Sequence, residues 1–255
     1  MDYKIGDYVT RISYNNDIIF IIIDIDLNNS IYYLKGCSVR LYADAYIDDL
    51  QKYEDDIKDD FIERSKVELP KDRDEYFYLP GKILHIDGDE DYLKKCLDYY
   101  ESCNLKAIGK IEDEDNVPNM IKYWLEEYNP SIVVITGHDA FYKKRGSDSY
   151  KNSSNFILSV KEARKFEKSQ QKLIVIAGAC QSNYEELIKA GANFASSPKR
   201  INIHALDPAI IAAHMALTDI SKDIDLKKIL ESTKYGVNGI GGIKTKGTMY
   251  IGYPR

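Results

Sequence analysis

The sequence predicts a small all-β module followed by an α/β domain built on a parallel sheet, and three observations carry that reading. Residues 1–50 alternate short β-rich runs with the turn signals Gly6-Asp7, Asn15-Asn16-Asp17 and Asn28-Asn29-Ser30. This spacing fits a meander of four or five strands closing as a small SH3-like barrel. After Pro80, nearly continuous apolar runs are each followed by a segment of helical period, as in a parallel sheet covered on both faces. Between the two lies a stretch dense in charge.

That stretch, residues 51–80, is expected as an acidic helix and linker, with the domain boundary between Glu68 and Pro80. From Asp44 to Glu75 there are 13 acidic and 6 basic residues, a balance of -7 against -6 for the whole chain, so the remainder stands near neutral. Residues 81–255 form the α/β domain. GKILHIDGD is a strand ending in an Asp-Gly turn, and DYLKKCLDYYESC is a helix. LKAIGKI is the second strand, and VPNMIKYWLEEY is a helix with Pro118 in its first turn. SIVVITGHD is the third strand, followed by a helix from about Ser154 to Lys168. KLIVIAGAC and the helix NYEELIKAG come next, then the short strand NFASSP. Two helices follow, Leu206–Ile220 with Pro208 near its start and Asp225–Ser232. The Gly-punctuated tail GIGGIKTKGTMYIGYPR is expected as a hairpin.

Composition narrows the function classes. No basic stripe marks a nucleic-acid groove. The strongest apolar run, IIFIIIDIDL, is broken by Asp24 and Asp26, so a soluble, cytoplasmic chain without membrane contact is expected. Cys37, Cys96, Cys103 and Cys180 form no CxxC pair and no Cys/His cluster, so neither disulfides nor a metal site is expected. No glycine-rich phosphate-binding motif follows a strand, and no cofactor is expected.

The chemistry gathers on two strand ends. VVITGHD stops at Gly137, His138 and Asp139; LIVIAGAC stops at Cys180. Open parallel sheets bind ligands beyond the carboxyl ends of their strands, and consecutive strands are usually neighbours, so a thiol nucleophile and an imidazole acid/base can share one cleft. Ser182-Asn183-Tyr184-Glu185 has the form of a capping box, which predicts a helix beginning within two residues of the thiol. The small Gly178 and Ala179 are expected to leave the sulfur open to approach. Of the other histidines, His85 belongs in the sheet and His214 in a packed helix, whereas His204 at a strand end is a candidate to line the cleft.

The blocks ending in T-G-H-D and G-A-C-Q-S resemble those of the caspase-like cysteine peptidases, in which one block ends in His-Gly and a later one in Ala-Cys. The whole chain more closely resembles the sporulation-specific cysteine peptidases of endospore-forming Firmicutes, from KIGDYVTRISY through VIAGACQSNYEELIKAGANFASSPKRINIHALDPA to GVNGIGGIKTKGTMYIG. The resemblance implies a three-layer caspase-like fold and a mother-cell protease that matures spore coat, cortex and germination proteins, cutting beside arginine. It also implies His138 and Cys180 as the catalytic pair, with the backbone N–H groups of Asp139 and Cys180 as oxyanion donors. Two positions depart from the wider clan: Asp139 replaces a glycine, and Gly178 replaces the Gln or Glu before Ala-Cys.

Arginine selectivity needs a carboxylate to meet the guanidinium, and Asp139, Asp148 and Asp207 are the candidates. The basic loop Lys143–Gly146 is a candidate for self-cleavage, and the N-terminal barrel for docking to coat proteins. The alternative reading is a non-catalytic α/β binding or coat scaffold protein.

Overall fold

The computed structural model describes residues 3–55, 61–62, 65–68, 75–143 and 149–254. Residues 56–60, 63–64 and 69–74 of the expected acidic helix and linker lie outside these residues. The chain divides into two compact units, Met1–Asp60 and Phe61–Arg255.

The first unit holds β1 (Tyr8–Arg11), β2 (Phe20–Asp26), β3 (Ile31–Gly36), β4 (Tyr42–Tyr46) and β5 (Leu50–Lys52). They form one antiparallel sheet in the order β4-β3-β2-β1-β5. Alternate residues Val9, Phe20, Ile22, Leu34 and Leu50 face a common small core, which is why the strands tolerate polar residues on the other side. β4 and β5 stand at the two ends of this order, with β1 paired to both β2 and β5. The charge-dense stretch begins inside this sheet, because β4 and β5 take Asp44 and Lys52 into strands.

In the second unit six strands line up as β14-β13-β12-β9-β7-β8, comprising β7 (Ile83–Asp87), β8 (Ala107–Ile111), β9 (Ile132–Thr136), β12 (Ile174–Ala177), β13 (Phe194–Ser196) and β14 (Ile240–Gly242). The first five are parallel and β14 is antiparallel to β13. β10 (Phe141–Tyr142) and β11 (Ser149–Tyr150) form a separate antiparallel pair between β9 and β12 in the chain. Both faces of the six-stranded sheet are covered. Ile83, Ile132, Val134, Ile174 and Ile176 pack with α1 (Glu90–Ser102), α5 (Asp207–Leu217) and α6 (Leu226–Glu231). Leu84, Ile86, Val133, Ile135 and Val175 pack with α2 (Val117–Tyr128), α3 (Ser153–Phe166) and α4 (Tyr184–Ala190). The odd-even split follows from the strand period of two and explains the continuous apolar runs.

Three expectations are corrected. The tail is not a hairpin: β14 pairs with β13, while β15 (Tyr250–Gly252) pairs with β6 (Phe77–Leu79). Local glycine spacing cannot reveal a partner so distant in sequence. The α/β unit also starts earlier than expected, since Phe61, Ile62 and Val67 pack against its core and Tyr99 donates to the Ser65 carbonyl at 2.7 Å. Finally, α5 ends at Leu217 rather than Ile220.

Candidate active site

The strand order reverses between β7 and β9, and the rim above that reversal is where doubly wound sheets bind ligands. His138 follows β9 at this point, two residues beyond Thr136. Its N–H donates to Glu114 Oε1 at 2.7 Å, and its ring stands with Nδ1 3.6 Å from the same oxygen and Nε2 3.7 Å from Asp89 Oδ2. Asp89 is held rigidly because it caps α1, accepting from Asp91 N and Tyr92 N at 3.0 and 3.2 Å. The Tyr92 ring packs against the imidazole. Glu114 reaches the site from the loop after β8 because Gly88 and Gly137 leave its carboxylate room; a Cβ at either would collide with it. Burial pushes the Glu114 carboxyl upward, but its hydrogen bonds with His138 outweigh this and hold it below the usual carboxylate range.

A buried polar chain supports this corner from within the sheet. His85 contacts Tyr100 Oη at 2.9 Å and Thr136 Oγ1 at 3.0 Å. Thr136 Oγ1 donates to Asp87 Oδ2 at 2.8 Å, and Asp87 Oδ1 accepts from Asp89 N at 3.0 Å. Each polar residue that interrupts an apolar run is thereby satisfied.

Cys180 ends the neighbouring block. β9 and β12 pair in parallel with Ala177 opposite Ile135, each three residues before Cys180 and His138, so both residues follow their strands at the same rim. The chain turns at Gly178, whose φ of +104° only glycine adopts readily. Here two expectations change. The sulfur is not open: Cys180 is 1 % exposed, with Ile203 N donating to Sγ at 3.3 Å. The segment Ser197–Ile203 covers it, because Gln181 N donates to Ile201 O at 3.1 Å and Arg200 is tied to Glu185 and Tyr150. Nor does a capping box start a helix beside the thiol. Asn183 caps α4, which begins at Tyr184, and the Ser182 hydroxyl is used elsewhere.

That hydroxyl joins the two loops. Ser182 Oγ accepts from Ala179 N at 2.9 Å and donates to Asp139 Oδ2 at 2.9 Å. The Asp139 carboxylate also accepts from Ala140 N and Asn152 N at 2.9 and 2.7 Å and from the Ser153 hydroxyl. These donors make the carboxylate an organiser of the surrounding loops. Asn152 Nδ2 holds the His138 carbonyl at 2.8 Å, and Gln181 Oε1 holds Phe141 N at 3.1 Å. Among the described residues the Asp139 N–H makes no hydrogen bond, so it is available as a donor.

Of the remaining predicted residues, some are buried and others fall outside the described residues. Asp207 is fully buried at the start of α5, accepting from His204 N at 3.1 Å and Lys234 N at 2.9 Å. Burial pushes its carboxyl up to about 6. An arginine side chain from solvent cannot reach it in this arrangement. His204 is buried against Phe61, one residue from the Ile203 contact with the thiol. His214 lies in α5, where burial pushes it down to about 4. Asp148 and residues 144–146 of the basic loop fall outside the described residues. Among those described, no group of His, Cys, Asp and Glu has the form of a metal site, and no helix is long and apolar enough to cross a membrane.

Sequence reasoning missed Asp89, Glu114 and Ser182. The available signal was the glycines: Gly88 after β7 and Gly137 after β9 mark two backbones that make room for a third group.

Comparison with known proteins gives a consistent result. A family model described as YabG peptidase U57 matches residues 4–68 and 56–254. The sporulation-specific protease YabG of Bacillus subtilis (strain 168) is 40% identical over 286 aligned residues, covering 100% of this chain and 99% of the relative. No solved structure matches the chain.

Proposed function

The chain belongs to the YabG peptidase family, and from that premise we propose that it is a cysteine endopeptidase of sporulation with Cys180 as nucleophile and His138 as general acid/base. The observation that carries this reading is the alignment of β9 and β12, which brings both residues to one rim, joined by the Asp139–Ser182 hydrogen bond. The α/β/α layering and the antiparallel sixth strand are compatible with a caspase-like scaffold.

In the proposed reaction the Cys180 thiolate attacks the scissile carbonyl, forming a C–S bond while the carbonyl oxygen gains negative charge. The N–H groups of Asp139 and Cys180 receive that oxygen, each worth about 3 kcal/mol in comparable sites. His138 then gives a proton to the departing amine as the C–N bond breaks, and water releases the acyl group. Asp89 and Glu114 stand beside the two ring nitrogens and fix the orientation of the imidazole. A substrate reaches the sulfur only after Ser197–Ile203 moves aside.

Charge supports a basic side chain beside the cut. Glu90 and Asp91 at the start of α1 are exposed, as are Asp113 and Asp115 in the loop after β8, all on the His138 side of the rim. Spore coat, cortex and germination proteins are the proposed substrates, met in the mother cell, with the first unit as an SH3-like docking module for coat components. Incubating the wild type and Cys180→Ala with an arginine-containing coat precursor, and mapping new termini by mass spectrometry, tests the reading. Cuts next to arginine are expected from the wild type alone; equal cleavage by both forms would refute it.

A further inference from the structure

The opposite rim of the same sheet, where the strands begin, is also concave. A pocket of about 820 Å³ lies where β7, β9 and β12 begin, five or fewer strand residues away from the ends that carry the candidate active site. Lys82 immediately precedes β7, Lys172 lies just before β12, and Lys246 approaches from the C-terminal segment. Lys82 and Lys172 are exposed and Lys246 is half-buried. Among the described residues the lining contains no carboxylate, and none of these lysines makes an ion pair. Other lysines of this acidic chain do find partners: Lys165 with Glu162, Lys189 with Glu186 and Lys244 with Asp223.

Three ammonium groups facing one cavity without counter-charges repel one another, and an occupant that brings carboxylates relieves that repulsion. The volume is that of an organic ligand or peptide site, far more than an inorganic anion fills. Its walls include Leu79, Pro80, Pro130, Ile220 and Tyr250, which offer contact to apolar side chains. Lysine, a point charge, suits separate carboxylates, whereas arginine is the residue over-represented at bidentate phosphate sites.

We propose that this pocket binds an acidic, partly apolar polypeptide segment of a protein partner, on the rim opposite the active site. The proposal is independent of the catalytic reading, and its probe contains no arginine. The full-length chain is titrated into a fluorescein-labelled decapeptide, EELDEELDEE, with anisotropy as readout, alongside the amide counterpart QQLNQQLNQQ. Saturable binding of the acidic peptide is expected, with no measurable binding of the amide one. Lys82→Gln/Lys172→Gln/Lys246→Gln should weaken binding about tenfold, and rising salt should weaken it further in the wild type. If the triple variant does not fold, Lys82→Gln/Lys172→Gln, which changes only exposed side chains, should lose about fivefold. Equal binding by the variants, equal binding of the amide peptide, or no binding at millimolar protein overturns the proposal. Displacement of the peptide by equimolar phosphate or single-stranded DNA does so as well, by assigning the lysines to another ligand.

Discussion

His138 is held by carboxylates that no linear motif contains. Asp89 and Glu114 come from the turns after β7 and β8, and they approach both nitrogens of one ring. Replacing them with amides keeps their size but removes the charge that fixes the ring. Glu114→Gln and Asp89→Asn are each expected to lower kcat by about 100-fold with little change in KM, measured on an arginine peptide substrate. Unchanged kcat would leave the two groups as structural ligands only. Gly178 makes a different demand. Its φ of +104° is strained for any L side chain, and an added Cβ would sit 2.9 Å from Leu187 Cδ1. Gly178→Ala should therefore cost about 1–3 kcal/mol in urea unfolding, and it should disturb the Cys180 turn even where the fold survives.

At the scale of elements, the β9–β12 pairing was legible because both strands are buried runs that stop at chemically meaningful residues. The cover over the thiol was not. Ser197–Ile203 carries no motif in the sequence, yet its conformation includes positive φ at Ser197 and Arg200 and ends with Ile203 against Sγ. Arg200 fastens it through Tyr150 at 2.9 Å and through Glu185. In native conditions iodoacetamide should reach Cys37, which is partly exposed, before Cys180. Arg200→Ala should speed alkylation of Cys180 by about fivefold, as expected for loss of ties worth roughly 1 kcal/mol together. Mass spectrometry of alkylated peptides over time gives both rates; an unchanged Cys180 rate would show that the cover is held by other contacts.

Across the molecule, two buried groups of α5 pull stability in opposite directions with pH. Asp207 is raised to about 6 from its ordinary value of 3.8, so the folded state holds its proton more tightly than the unfolded chain does. Its contribution is present below about 4 and is lost as pH rises through about 6, roughly 3 kcal/mol in all. His214 is lowered to about 4 from 6.5, so the unfolded state takes its proton first and stability falls as pH drops across that window. In the wild type these slopes largely cancel between about pH 4 and 6. His214→Gln should unmask the first: urea midpoints at pH 4.5 and 6 should show the variant losing more stability than the wild type as pH rises. A parallel pair of profiles would contradict the burial of one group.

The sequence by itself determined the α/β class, the order of the five parallel strands and the helices between them, and the strand ends that carry His138 and Cys180. These depend on local period and on turn chemistry, which neighbouring residues encode. Only the tertiary structure decided which groups meet there. Asp89, Glu114, Ser182 and Ile203 reach the site from four separate connections, and contact across a folded sheet leaves no periodic trace along the chain. It also separated β14 from β15 and closed Asp139 and Asp207 into the protein's own hydrogen bonds, because a buried carboxylate must be satisfied by whatever donors the fold brings near.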